Sequence, residues 1–220
     1  MLNFFKQHPL TKFWPLSIIS LLLAAYFATS QILPGILVYF VFLFFGGLSL
    51  YLQYGKGVLS AAFNTPKRNS WKWVIPIILI TLILSFFFSF LGSLLGQSMA
   101  ENGALGTGTT SQKVIRVLWI CLSLVGEELI TAALTFPFYS LLNKKLSNKQ
   151  ALLLASLIGA LLFGMLHFKV YHWNLYQMLF PIGLGRLPLT WLWFKADSLW
   201  PAAIAHILYD VILFIPMILA

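Results

Sequence analysis

The sequence predicts an all-α fold, a polytopic membrane helical bundle of seven to eight transmembrane segments. Three observations predict it. First, 60% of the residues are hydrophobic and 9% are charged, where soluble domains carry roughly 25% charged residues, and the mean hydropathy is +0.90. Second, apolar runs of the length that a helix needs to cross a bilayer, about 20 residues, recur along the chain. Third, the basic residues gather in alternate short loops, the signature of a multi-pass topology. A strand reading is excluded because the runs are too long and lack period-two alternation. The net charge of +9 does not mark a nucleic-acid partner. The lysines lie in short loops, where topology and anionic lipid account for them. The single cysteine, Cys121, can form neither an internal disulfide nor a Cys-based metal site.

In order, the apolar runs are 13–32, 35–54, 73–97, 114–142, 150–168, 173–195 and 200–219. The first follows Lys6 and Lys12 as a signal peptide would, but it is too long for that, so it reads as a span. Lys56, Lys67, Arg68 and Lys72 fill one loop and Lys144, Lys145 and Lys149 another, while 33–34 and 98–112 carry no Lys or Arg. The N-terminus and the basic loops are therefore expected in the cytoplasm. The Gly- and Thr-rich loop 98–112 is the one stretch that looks flexible. Segment 173–195 holds Pro181, Gly183, Gly185, Arg186 and Pro188 near its middle, which is breaker chemistry around an arginine. It is expected to be either one kinked span or a re-entrant pair of half-helices. The chain is expected to form a single membrane domain, 1–220.

Three of the five acids, Glu127, Glu128 and Asp210, fall inside apolar runs; Glu101 and Asp197 do not. An ionisable group at bilayer depth costs several kcal/mol unless it is paired or hydrated, so its presence points to function. Four places qualify: Glu127-Glu128, Phe163…His167, Arg186 and His206…Asp210. The i,i+4 spacing puts His206 and Asp210 on one helix face, and Phe163 and His167 on another. Adjacent Glu127 and Glu128 diverge by about 100°, so one is expected to face a reacting group and the other to support it. Counted from the basic hairpin at 143–149, Glu127 and His167 both lie about 25 Å deep, and are expected to be level. Bringing His206 level too requires the last span to enter from the far side. That favours the re-entrant pair and a cytoplasmic C-terminus. Each residue also has a structural reading: a packed histidine, a Glu pair neutralised by Arg116 or Arg186, an Asp210 satisfied by its own helix, an arginine snorkelling to an interface. His8 and His172, near span ends, are read as structural. Glu, His and His together are the parts of a water-activating site.

These motifs resemble the CPBP family, the CAAX-protease and bacteriocin-processing (Abi) intramembrane peptidases. The family pattern runs Glu-Glu-x-x-x-Arg, Phe-x-x-x-His, then His-x-x-x-Asn or Asp; here Glu127-Glu128, Phe163…His167 and His206…Asp210 match it, over about residues 114–215. The resemblance implies an N-terminal part, 1–112, and a catalytic core, 113–220. It implies peptide-bond hydrolysis in a membrane-associated peptide or protein. Glu127 would be the general base and Glu128 would orient the site. His167 would polarise the carbonyl or act as acid, and His206 with Asp210 would stabilise the oxyanion or hold the water. Two departures stand out. Ala132 occupies the place of the family arginine, for which Arg186 is the candidate replacement. Asp210 stands where many members have Asn, and an ionised carboxylate cannot donate a hydrogen bond. No cofactor is expected; zinc would fit only with His167, His206 and Asp210 as ligands. The expected partners are a membrane-embedded substrate and the bilayer. The competing classes are a non-proteolytic bacteriocin-immunity or tolerance protein of the same fold, and a small ion-coupled transporter.

Overall fold

The computed structural model describes residues 1–30, 32–100 and 103–219. Glu101 lies outside them. Every apolar run is helical, and among the described residues there is no strand. The helices are α1 (Leu2–Gln7), α2 (Trp14–Thr29), α3 (Val41–Tyr54, entered through a 3₁₀ stretch at Gly35–Phe40), α4 (Val58–Ala62), α5 (Val74–Leu94, entered through Arg68–Trp73), α6 (Thr110–Leu142), α7 (Asn148–Met165), α8 (Leu175–Gln177), α9 (Leu187–Ala196) and α10 (Trp200–Leu219). Five helical stretches are long and apolar enough to cross a membrane: Gly35–Tyr54, Arg68–Leu94, Thr110–Leu142, Asn148–Met165 and Trp200–Leu219. By length and composition they make this a polytopic membrane helical bundle. The first expected span is shorter, at 16 residues.

The centre of the bundle is α6, which packs along α3 on one side and α7 on the other, with α10 also against it. Its start is fixed by a capping box, in which Thr109 and Gln112 satisfy each other's backbone N–H groups; Ser147 and Gln150 do the same for α7. Glycine sets the α3–α6 spacing. A Cβ at Gly126 would overlap the backbone of Phe42 and Leu43, and one at Gly46 would fall 2.8 Å from Leu129 Cβ. Small residues allow this close approach, and polar side chains fasten it. The Gln53 amide donates to Ala133 O (2.9 Å) and to Ser17 Oγ (3.0 Å), joining α3, α6 and α2.

The stretch 175–196 corrects the expectation of a re-entrant pair. It runs from α8 through a π turn (Met178–Gly183) and a 3₁₀ turn (Leu184–Arg186) into α9, antiparallel to α5. Near its start the Tyr176 hydroxyl donates to Phe88 O (2.8 Å); near its end Trp191 packs edge-on against Trp73. Those contacts lie about 22 Å apart along the axis of α5, so the segment crosses once and does not return. Consequently α10 starts at the end where Lys67 N–H donates to Ala196 O (3.1 Å). It finishes at the other end, where Lys113 Nζ donates to Met217 O (2.8 Å). The C-terminal residues thus lie opposite the basic hairpin and not beside it, as was expected. His206, only six residues into α10, still meets Glu128 of α6, because the helices do not end in one plane. Phe136, six residues before the end of α6, meets Trp193 and Phe194, two to three residues before the end of α9, so α6 runs past α9 by about 5 Å.

Part of the flexible-looking loop is also tied down. Arg116 Nη1 donates to Leu105 O and, at 2.6 Å, to Thr107 O, and Leu105 is buried. Arg116 is therefore occupied there and is no partner of the glutamates. At the basic end, Phe5 of α1 stacks on Phe136 (3.6 Å between centroids), and Leu2 N–H donates to Asp197 Oδ1 (2.9 Å). Gly126→Ala is expected to destabilise the bundle by about 1–3 kcal/mol through overpacking. Gly47→Ala meets nothing closer than the tip of Leu59 at 3.8 Å and should leave the melting temperature unchanged. Thermal unfolding in detergent measures both.

Candidate active site

The carboxylate of Glu128 is fully buried in α6 and accepts three hydrogen bonds from two other segments. Arg186 Nη2 donates to Oε1 (2.7 Å), His206 Nδ1 lies 2.8 Å from the same oxygen, and Trp193 Nε1 donates to Oε2 (2.5 Å). Since a carboxylate only accepts, the His206 nitrogen that faces it is the one carrying hydrogen. The Nε2 edge is left for other partners. Arg186 is held from several sides. Its Nη1 donates to Thr131 Oγ1, and Thr131 in turn donates to Glu127 O (2.8 Å). Its guanidinium lies 4.1 Å above the centre of the Phe163 ring and 5.8 Å from that of Trp193.

Local sequence explains why these groups converge. Pro181 has no N–H to offer a helical ladder, and the chain there winds as a π turn followed by a 3₁₀ turn; such irregular turns are frequent at functional sites. Gly164 and Gly183 let this irregular piece lie directly on α7. A Cβ at Gly164 would overlap Met178 O, and one at Gly183 would come within 3.1 Å of Ala160 O. That approach slides Arg186 over Phe163. One turn further, the His167 ring packs edge-on against Phe163 (4.8 Å), and its Nδ1 lies 3.0 Å from Phe163 O. A carbonyl is purely an acceptor, so His167 Nδ1 carries the hydrogen and the neutral ring presents Nε2 as an acceptor.

The remaining sequence-derived residues stand around this hub. Glu127 and Asp210 are half-buried, and neither side chain has a hydrogen bond to protein among the described residues. Glu127 is within electrostatic reach of His206, Asp210, Arg186 and Glu128; Asp210 is within reach of His206, Glu128 and Arg186; His167 is within reach of Arg186 and His206. All seven residues named from sequence thus belong to one neighbourhood. Ala132, where the pattern has arginine, is fully buried, and the guanidinium arrives from position 186 instead.

Sequence reading missed three participants. Thr131 lies one turn after Glu127. Trp193 lies seven residues after Arg186, two turns along the same face, so spacing could have found it. Tyr171 continues the Phe163, His167 interval by four, but through a turn; its ring stacks on His167 (5.9 Å, 21°). It is buried, and its hydroxyl has no protein hydrogen bond among the described residues. It lies within electrostatic reach of Asp210 and Glu127. The donor set does not form a metal cage: among the described residues no group of three or more His, Cys, Asp and Glu is arranged to hold an ion. The trio His167, His206 and Asp210 accordingly does not fit zinc in this arrangement. Two clefts, of about 660 and 410 Å³, lie away from these residues, the larger beside α1 and the smaller beside Lys67 and Lys195.

Removing Arg186 would leave Glu128 buried without its cation. Arg186→Met is expected to cost about 3–5 kcal/mol, seen as a lower melting temperature in detergent. Adding Glu128→Gln should recover part of that loss.

In comparison with known families, residues 110–212 match the model described as type II CAAX prenyl endopeptidase Rce1-like. No curated protein and no solved structure matches the chain.

Proposed function

We propose, from the premise that residues 110–212 are a domain of the Rce1-like family of CAAX-type proteases, that the protein is an intramembrane endopeptidase. It hydrolyses a peptide bond in a membrane-associated peptide or protein, with water activated by Glu127. One observation carries the reading. Glu128 is saturated by Arg186, Trp193 and His206, while its neighbour Glu127 has no hydrogen bond to protein among the described residues and lies within electrostatic reach of His206 and Asp210. A bound, oriented acid beside an uncommitted one divides structural and chemical duty between them.

The steps follow from the donors and acceptors. Glu127 takes a proton from a water that His167 Nε2 helps to hold, and the water oxygen attacks the carbonyl carbon. The oxyanion receives hydrogen bonds from the Tyr171 hydroxyl and from His206 Nε2–H, the latter in the doubly protonated ring whose Nδ1–H rests on Glu128. Collapse of the tetrahedral species breaks the C–N bond, and Glu127 returns its proton to the leaving nitrogen. Tyr171 supplies a donor that Asp210, when ionised, cannot. Asp210 faces the same helix edge as His206 and helps to hold its ring. The chemistry uses the chain's own groups, without a resident metal. The basic end faces the cytoplasm, as the distribution of Lys6, Lys12, Lys67, Lys72, Lys144 and Lys149 favours.

Cleavage of membrane peptides, prenylated and unprenylated, by purified protein tests this. Glu127→Gln is expected to lower turnover by about 10³-fold; retention of wild-type cleavage by this variant would sink the enzyme reading and favour a non-catalytic, tolerance-type role. A chelator should leave the rate unchanged. Tyr171→Phe is expected to cost about 10²-fold in turnover with little change in KM. Asp210→Asn in that background should restore at least a tenth of it by returning an N–H donor; a merely structural tyrosine would not be rescued this way.

A further inference from the structure

Outside the glutamate cluster, the chemistry concentrates at the basic end. A cleft of about 660 Å³ opens between α1, the segment 8–12 and the end of α6, and its walls include Lys6, Lys12, Asn143, Lys144 and Trp14. Among the described residues no acidic one lines it. Among the described residues none of the three lysines is in an ion pair; Lys12 only caps the ring of Phe13 at 5.2 Å. The walls are anchored. Phe5 stacks on Phe136, the Ser140 hydroxyl donates to Phe5 O (3.3 Å), and Thr11 N–H donates to Gln53 O (2.8 Å). The cleft is therefore preformed, and among the described residues no acidic group neutralises its charge.

What lies below it is equally specific. Trp14 belongs both to the cleft wall and to the first turn of α2. Trp14, Ile18 and Leu22 follow at intervals of four, one above another on a single helix face, and they are 40%, 50% and 64% exposed. A cationic pocket thus opens onto an apolar stripe that points into the bilayer. A tryptophan stands at the junction, where aromatic side chains mark the headgroup level.

We infer that this cleft binds the phosphate headgroup of an anionic glycerophospholipid, whose acyl chains lie along Trp14, Ile18 and Leu22. A free phosphate would use the lysines but not the stripe. The smaller cleft, at Lys67, Lys72 and Lys195, is less suited, since Lys195 is already seated between the rings of Trp73 and Trp191. The site is separate from the glutamate cluster and independent of whether the protein is a protease.

Native mass spectrometry of the full chain, released from nanodiscs of phosphatidylcholine with added phosphatidylglycerol, tests it. Wild type should retain phosphatidylglycerol in preference to phosphatidylcholine. The triple variant Lys6→Gln, Lys12→Gln, Lys144→Gln should lose that preference by about a hundredfold in affinity, the scale of three lysines at a headgroup. A control removing the same charge outside the cleft, Lys56→Gln, Lys145→Gln, Lys149→Gln, should keep it. Ile18→Ser with Leu22→Ser should weaken retention with the lysines intact. Equal loss in the control, or no selectivity in wild type, would overturn the site. Displacement of the lipid by inorganic phosphate at similar affinity would overturn the lipid assignment. Unchanged thermal unfolding of the variants shows that the losses are not due to misfolding.

Discussion

A carboxylate sealed from water has to be met by donors from the protein, and at Glu128 that requirement organises half the molecule. Its three donors come from the broken segment and from α10, so those two elements must lie against α6 at one depth. A buried ion pair of this kind seldom adds net stability over a well-packed apolar core, because desolvation offsets the attraction. Its value here is positional. It fixes the His206 ring by one nitrogen, and with Thr131 it fixes the guanidinium, leaving the other ring edge and Glu127 uncommitted.

Bringing a guanidinium to that depth carries a structural cost that the fold distributes. A regular helix over 175–196 would lie further from α7. The π and 3₁₀ turns around Pro181, with Gly164 and Gly183 at the contact, let backbone meet backbone. The result seats Arg186 on Phe163. Non-helical backbone at membrane depth is tolerated where protein covers it, and here α5 and α7 do so. Among the described residues Arg186 Nε–H has no acceptor; its guanidinium rests among aromatic faces.

The two ends of the bundle differ because they meet different surroundings. At one end, lysines project around a preformed cleft above an apolar stripe. At the other, Arg116 and Lys113 turn back to cap backbone carbonyls of the 103–109 loop and of α10. The basic side chains thus line an open cleft at one end and close on the chain's own carbonyls at the other.

From sequence alone, the class of fold was legible, because hydropathy and run length in a bilayer leave helices as the remaining solution. So was the set of ionisable residues at bilayer depth that the structure brings into one neighbourhood, because each such group needs a reason to be there. Local spacing carried Phe163 to His167 and His206 to Asp210, since a helix relates residues four apart. What it could not carry was the meeting of segments. Which glutamate would be saturated, and that position 186 would supply the cation missing at 132, depend on how three elements dock, while the stacking of Tyr171 on His167 depends on the turn that follows α7. The direction of α10 depended on segment 175–196 crossing once along α5, which its breaker residues alone do not decide. Pattern fixes what each segment is; only packing decides where its polar atoms find one another.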